Sequence, residues 1–248
     1  MSILYILWLR QIKRYLRSKS RIIGSLGQPL LFLVSLGFGL GPIFQKAGQG
    51  NYIEFLAPGI IGMSIIFTSI FSGMEIIWDR QFGFLKETLV APVSRLTIMI
   101  GRTLGGATVA TFQGIIVFII SLFAGFSPVN WMLAPLAVLV MALIALLFTA
   151  LGTAIASVLE DVQGFQLIIN FLVMPLFFLS GALFPLQGLP PAIELIARID
   201  PLSYGIDGLR DLLINVSHFG LALDLVVLTM VTLFFLFLGS YLFSKIQI

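Results

Sequence analysis

The 248-residue chain contains no cysteine and a single histidine, His218. The first absence excludes a disulfide framework, a thiolate metal site and a thiol nucleophile, and the second excludes a histidine cluster. Charge is scarce as well, at 10% of residues, against about one quarter in soluble domains. No glycine is followed by lysine, so the P-loop pattern is missing, and neither HExxH nor GxSxG occurs. No catalytic, cofactor-binding or metal-ligating residue is therefore assigned, and the chain is not expected to be an enzyme.

What fills the sequence is apolar: 59% of residues are hydrophobic, 23 are Phe, and the mean hydropathy is +1.10. A hydrocarbon layer of about 30 Å needs roughly 20 apolar residues per helix. Six stretches meet that length, at about 22–44, 55–77, 96–125, 132–157, 164–184 and 221–243. The expectation is an all-α polytopic membrane protein, a single membrane domain over 1–248.

The few charges are unevenly placed. Arg10, Lys13, Arg14, Arg17, Lys19, Arg21, Arg80, Lys86, Arg95, Arg102 and Lys245 flank one side of the six spans, against Lys46, Arg198 and Arg210 on the other. The positive-inside rule then puts both termini in the cytoplasm. The formal charge of +3 is read as setting this orientation, so no nucleic-acid partner is expected. The opening MSILYILWLRQIKRYLRSKSR places apolar residues before basic ones and lacks a small-residue cleavage site, unlike a cleaved signal peptide.

Residues 3–18 have Arg10, Lys13, Arg14 and Arg17 at helical steps, with Trp8, Ile12, Tyr15 and Leu16 across from them. That pattern predicts an interfacial amphipathic helix whose basic face is held by anionic headgroups or, alternatively, contacts a cytoplasmic partner. Residues 185–220 carry Pro185, Pro190, Pro191 and Pro201, which predict two short helices, about 191–199 and 203–214. Too short to span, they are expected to form an outer or re-entrant hairpin before the last span.

Gly37 and Gly41, Gly101 and Gly105, and Gly106, Ala110 and Gly114 recur at four-residue steps, a spacing for close helix packing. Ionisable groups are nearly missing from the spans. Glu75 and Asp224 are placed near span ends, within reach of water, and no buried charge pair is expected, which disfavours an ion-coupled carrier. Gln163, Gln166 and Asn170 share one face of the fifth span. They are candidates for lining a pathway or for interhelical hydrogen bonds.

Between spans two and three lies DRQFGFLKETLVAPVSR, residues 79–95. Gly83 permits a bend, residues 84–90 can form two helical turns, and Pro92 ends them. A short helix across the cytoplasmic mouth is the expected result.

This segment resembles the cytoplasmic coupling segment of ABC transporter permeases of the type-2 exporter family, which includes daunorubicin, nodulation-factor and polysaccharide exporters. PLFFLSGALFPLQGLPPAIELIARIDPLSYGIDGLRDLL, residues 175–213, is similar to the fifth span and outer hairpin of that family. The resemblance implies that Asp79, Arg80, Phe82, Gly83, Leu85, Lys86, Glu87, Leu89, Pro92 and Arg95 couple the chain to a separate ATP-binding subunit. It also implies that Ser180, Gly181, Phe184 and Pro185 form the outer turn, and Asp200, Pro201, Tyr204 and Arg210 the hairpin. Phe84 and Lys86 depart from the Thr and Glu common there. The implied assembly is two permease copies, as a homodimer or paired with a related permease, in the lipid of the plasma (inner) membrane. ATP and magnesium are expected only in the partner subunit, and the cargo is expected to be amphiphilic, drug-like or lipid-linked. The competing reading is a nucleotide-independent channel or ion-coupled carrier.

Overall fold

A computed structural model describes residues 3–46, 50–84 and 94–245, and the side chains of all of these but Ile3 and Arg21. Nine α-helices are described: α1 (Ile3–Arg17), α2 (Lys19–Lys46), α3 (Tyr52–Gln81), α4 (Arg95–Phe123), α5 (Ala134–Val158), α6 (Val162–Leu179), α7 (Pro191–Ile199), α8 (Pro201–Ile214) and α9 (Leu221–Ser244). A 3-10 turn, Trp131–Leu133, leads into α5. There is no strand among the described residues.

Six of the helices, α2 to α6 and α9, are long and apolar enough to cross a membrane. They coincide with the six expected spans to within a few residues. Several helix starts carry the local chemistry of caps. The Asn51 side chain accepts from the Ile53 amide, Ser94 from Thr97, Asp161 from Gly164 and Asp200 from Leu202, each satisfying an orphan amide of the first turn.

The core is organised around α3. Leu56, Ile60, Ile61, Ile65, Ile66 and Ile70 along it are fully buried, and α2, α4, α5 and α8 pack around it. It crosses α5 closely, where a Cβ placed on Gly73 would lie 2.5 Å from the Gly152 carbonyl carbon. Only hydrogens fit between the two backbones there, the close approach that small residues permit in membranes. Helices α2, α6 and α9 sit at the periphery and leave most of their surface open.

Helix α1 finds its apolar contacts in protein. It runs alongside α4, with Leu7 against Gly101 and Gln11 against Gly105. Trp8 Nε1 donates to Thr108 Oγ1 at 3.0 Å, and the buried Tyr15 hydroxyl donates to Gln113 Oε1. Anchoring therefore does not rest on headgroups alone. The glycine spacing read as generic packing is, at 101 and 105, the seat of α1.

The bundle has two unlike ends. The basic end carries α1, the C-terminus of α3 and the N-terminus of α4. The hairpin end carries α7 and α8, folded against the start of α3, the end of α6 and the first turn of α9.

Candidate functional site

At the basic end the last turn of α3 is tied to three other helices. Asp79 is buried and accepts from two arginines: Arg102 of α4 at 2.6 Å and Arg10 of α1 at 3.1 Å. One turn deeper, Glu75 pairs with Arg14 of α1 at 3.5 Å, whose guanidinium also lies 5.8 Å from the Trp78 ring centre. Arg80 points the other way, donating to the carbonyls of Ser157 and Leu159 at 3.1 Å each. Those carbonyls end α5 and have no partner within their own helix. Gln81 Nε2 adds a bond to the Glu160 carbonyl at 3.4 Å.

Two expectations are corrected by this geometry. A buried charge pair exists, Asp79 with Arg102, and Glu75 is buried where contact with water was expected. The pair joins side chains 23 positions apart on different helices, which no single-helix periodicity reveals. Counting Arg102 among the flanking cations concealed it. Asp224 is likewise fully buried in the first turn of α9, and neither of its carboxylate oxygens has a hydrogen-bond partner among the described residues.

Beyond Asp79 and Arg80 the chain leaves α3 through Phe82, which is 73% exposed, and Gly83, whose φ of +80° lies where a side chain is strained. Arg95, at the start of α4, is half-buried. Leu85, Lys86, Glu87, Leu89 and Pro92 lie outside the described residues. Asp79 and Arg80 thus face into the bundle, while Phe82 and Phe84 project from it.

The hairpin end is held by one arginine of α8. Arg210 is buried and donates to three backbone carbonyls: Gly181 at 2.8 Å, Ala182 at 3.1 Å and Phe55 at 3.3 Å. Its guanidinium also stacks 3.8 Å from the Phe55 ring centre. One side chain so joins α8 to the first turn of α3 and the end of α6. Burial lowers its pKa to about 9, which leaves the cation intact at neutral pH.

Asp207, one turn before, accepts from the amides of His218 and Phe219 at 2.8 and 2.7 Å, closing the loop into α9. Tyr204 donates to the Arg198 carbonyl at 2.7 Å and stacks on Phe219. Pro201 opens α8 after its cap Asp200, whose carboxyl burial pushes up to a pKa of about 8. Ser180 and Gly181 form the turn that ends α6, and Phe184 and Pro185 continue it, half-buried.

Gln163, Gln166 and Asn170 lie on the open face of α6 beside Leu167 and Phe171, which are 72% and 84% exposed. None of the three makes a side-chain hydrogen bond among the described residues.

This assembly of six spanning helices, a polar turn-and-exit at the end of α3 and a latched hairpin before the last span is that of a multi-pass transport permease. The ABC-2 type transporter family matches residues 3–214, and the chain belongs to that family. It is 33% identical over 197 residues to a putative transport permease, ycf38, of Porphyra purpurea, covering 78% of this chain and 68% of the relative. To nodulation protein J of Rhizobium leguminosarum bv. trifolii it is 30% identical, over 78% of this chain and 74% of the relative. To the inner membrane transport permease YadH of Escherichia coli it is 28% identical, over 82% and 80%. The chain is thus a transport permease subunit of the ABC type, in a family that generally works with an ATP-binding subunit.

Proposed function

We propose that this chain is the membrane half of an ATP-driven exporter. Two copies, in a homodimer by preference, span the plasma (inner) membrane with the basic end in the cytoplasm, and each docks one separate ATP-binding subunit. ATP and magnesium belong to that subunit, and the cargo is amphiphilic, drug-like or lipid-linked. Residues 79–95 form the docking element, with Phe82 leading into it and Gly83 supplying the bend.

The observation that carries this reading is the wiring of the last turn of α3. A push on the segment after Phe82 bears on Asp79 and Arg80, and through them on α1, α4 and α5 at once. A displacement there moves several spans as a unit, since packed cores respond in discrete steps. The uncovered amides of α6 support the second copy. Gln163, Gln166 and Asn170 are costly against lipid, and a facing protomer or a polar pathway between copies would satisfy them.

The carrier reading draws support from one observation, the fully buried and unpartnered Asp224, because an intramembrane carboxyl is a proton or ion site by default. Flux through the purified chain alone, driven by a gradient, would favour it. The exporter is tested by purification from the native membrane in mild detergent, with mass identification of bound chains and an ATPase assay. A stoichiometric ATPase whose hydrolysis changes in Gly83→Val and in Leu85→Asp is expected. A chain that purifies alone, and captures no ATPase on crosslinking, contradicts the proposal.

A further inference from the structure

Two hollows adjoin at the basic end. The first is a cavity of about 420 Å³ between α1, α2, α3 and α4, within the range of small-ligand sites, about 300–1,000 Å³. Phe67, Phe71, Met74 and Trp78 give it an apolar wall, Gln11, Gln28 and the Arg14-paired Glu75 also line it, and the buried Ser64 hydroxyl has no hydrogen-bond partner among the described residues. The second is a wider cleft of about 980 Å³ between α1 and the end of α3. Trp78 borders both, so its side chain is the partition between them.

The cleft is strongly cationic. Arg10, Lys13, Arg14, Arg17 and Lys19 line it, and Asp79 is its one acid among the described residues. Asp79 is already shared by Arg10 and Arg102, and Arg14 pairs with Glu75. Lys13, Arg17 and Lys19 are exposed and form no ion pair with a described residue. A positive cleft beside a largely apolar cavity, at the basic end of the bundle, is complementary to an amphiphile with an anionic head and at least one hydrocarbon chain.

We propose that this crevice binds an anionic lipid, its phosphate-type headgroup held by Lys13, Arg17 and Lys19 and one acyl chain inserted past Trp78 into the cavity. Charge complementarity selects the head, and the apolar wall selects the chain. The site lies within one protomer, apart from the open face of α6, and needs neither an ATPase nor a second copy. Such a lipid has two sources: a resident phospholipid of the leaflet, or the anionic, lipid-linked cargo itself.

The test uses the full chain in nanodiscs and a phosphatidic acid carrying a photoreactive diazirine at the end of one acyl chain. Crosslinks are expected on cavity residues such as Phe67, Met74 and Trp78. Capture should fall at least tenfold with excess unlabelled phosphatidic acid, and little with phosphatidylcholine of the same chains or with inorganic phosphate. The triple variant Lys13→Gln/Arg17→Gln/Lys19→Gln should lose capture at least tenfold. Thr68→Phe, which fills the cavity from α3, should drive the crosslinks out of it at unchanged thermal stability.

Equal competition by phosphatidylcholine, or crosslinks confined to the lipid-facing sides of α2, α6 and α9, would overturn the proposal. So would a cavity footprint unchanged in both variants. If binding holds, native mass spectrometry of the chain from its own membrane and an ATP chase separate the sources. A retained stoichiometric phospholipid indicates a resident, and ATP-dependent loss of the bound probe in the complex with the ATPase indicates cargo. A failed lipid test leaves the exporter reading standing, because ATPase capture is measured independently.

Discussion

Two arginines are buried to nearly the same degree at opposite ends of α3, Arg102 at 5% exposure and Arg210 at 6%, and they are compensated in opposite ways. Arg102 meets a carboxylate, Asp79, which it shares with Arg10 of α1. Arg210 meets no carboxylate of the described residues within ion-pair distance and instead spreads its charge over the carbonyls of Phe55, Gly181 and Ala182 and the Phe55 ring. A side-chain pair can exchange partners when a neighbouring helix moves. A latch of three backbone carbonyls cannot be rearranged without moving the chain itself. The contrast suits a mobile basic end, where a partner would push, and a hairpin end that stays shut.

Breaking the latch has the largest expected effect. Arg210→Met strands the buried carbonyls of Gly181 and Ala182, each worth about 1–3 kcal/mol when left without a donor, and removes the added bond to Phe55, so a loss of about 4 kcal/mol is expected in denaturant unfolding in detergent. Arg210→Lys should recover little of it, because an ammonium does not reproduce the guanidinium fork.

Next is Asp79→Asn, which leaves Arg102 buried without a counter-charge and should cost about 3 kcal/mol. The comparison sharpens in the double variant Asp79→Leu/Arg102→Met. Replacing both partners of a buried ion pair by apolar groups is often nearly neutral, so most of the stability should return. No single second change can do the same for Arg210. Arg80→Ala should come third, at about 1.5–3 kcal/mol for charged hydrogen bonds lost, with faster amide exchange in the last turn of α5.

A pH difference between the ends follows from Asp200. Its carboxyl is pushed up to about 8 by burial, from an ordinary value of 3.8, so the folded state holds the proton more tightly than the unfolded chain. The stability this contributes is fully present below about pH 4 and is lost as pH rises through about 8. The unfolding midpoint of the wild type should fall over that window relative to Asp200→Asn, whose amide keeps the cap and does not titrate. Smallest of all is Arg198→Ala, which removes an exposed pair with Glu194 four residues away and should cost about 0.3–0.5 kcal/mol.

The spans and the hairpin were legible because they rest on local signals. Run length marked the six membrane helices, and prolines marked the bounds of α7 and α8. The tertiary charge network was not legible. Asp79 and Arg102 stand on different helices, and the partners of Arg210 are backbone carbonyls, which carry no residue identity at all. Asp224, placed by its nearness to a span end, is buried because α8 folds over it: a Cβ placed on Gly208 would lie 3.5 Å from its carboxylate. The seat of α1 was visible only as glycine spacing at 101 and 105, with nothing to say which helix it received. The segment proposed to dock an ATPase was read in sequence by resemblance, and most of it lies outside the described residues.

The central claim, that ATP use by a partner moves this chain through the end of α3, can be measured directly because the chain has no cysteine of its own. A single Gln166→Cys places one spin label per copy on the open face of α6. In the purified complex with its ATPase, pulsed dipolar spectroscopy should give one distance between copies that changes between ATP-bound and ADP-bound states. That change should vanish when Asp79→Asn and Arg80→Ala are combined in the labelled chain. No distance between copies, or one unmoved by nucleotide while the ATPase turns over, would contradict it.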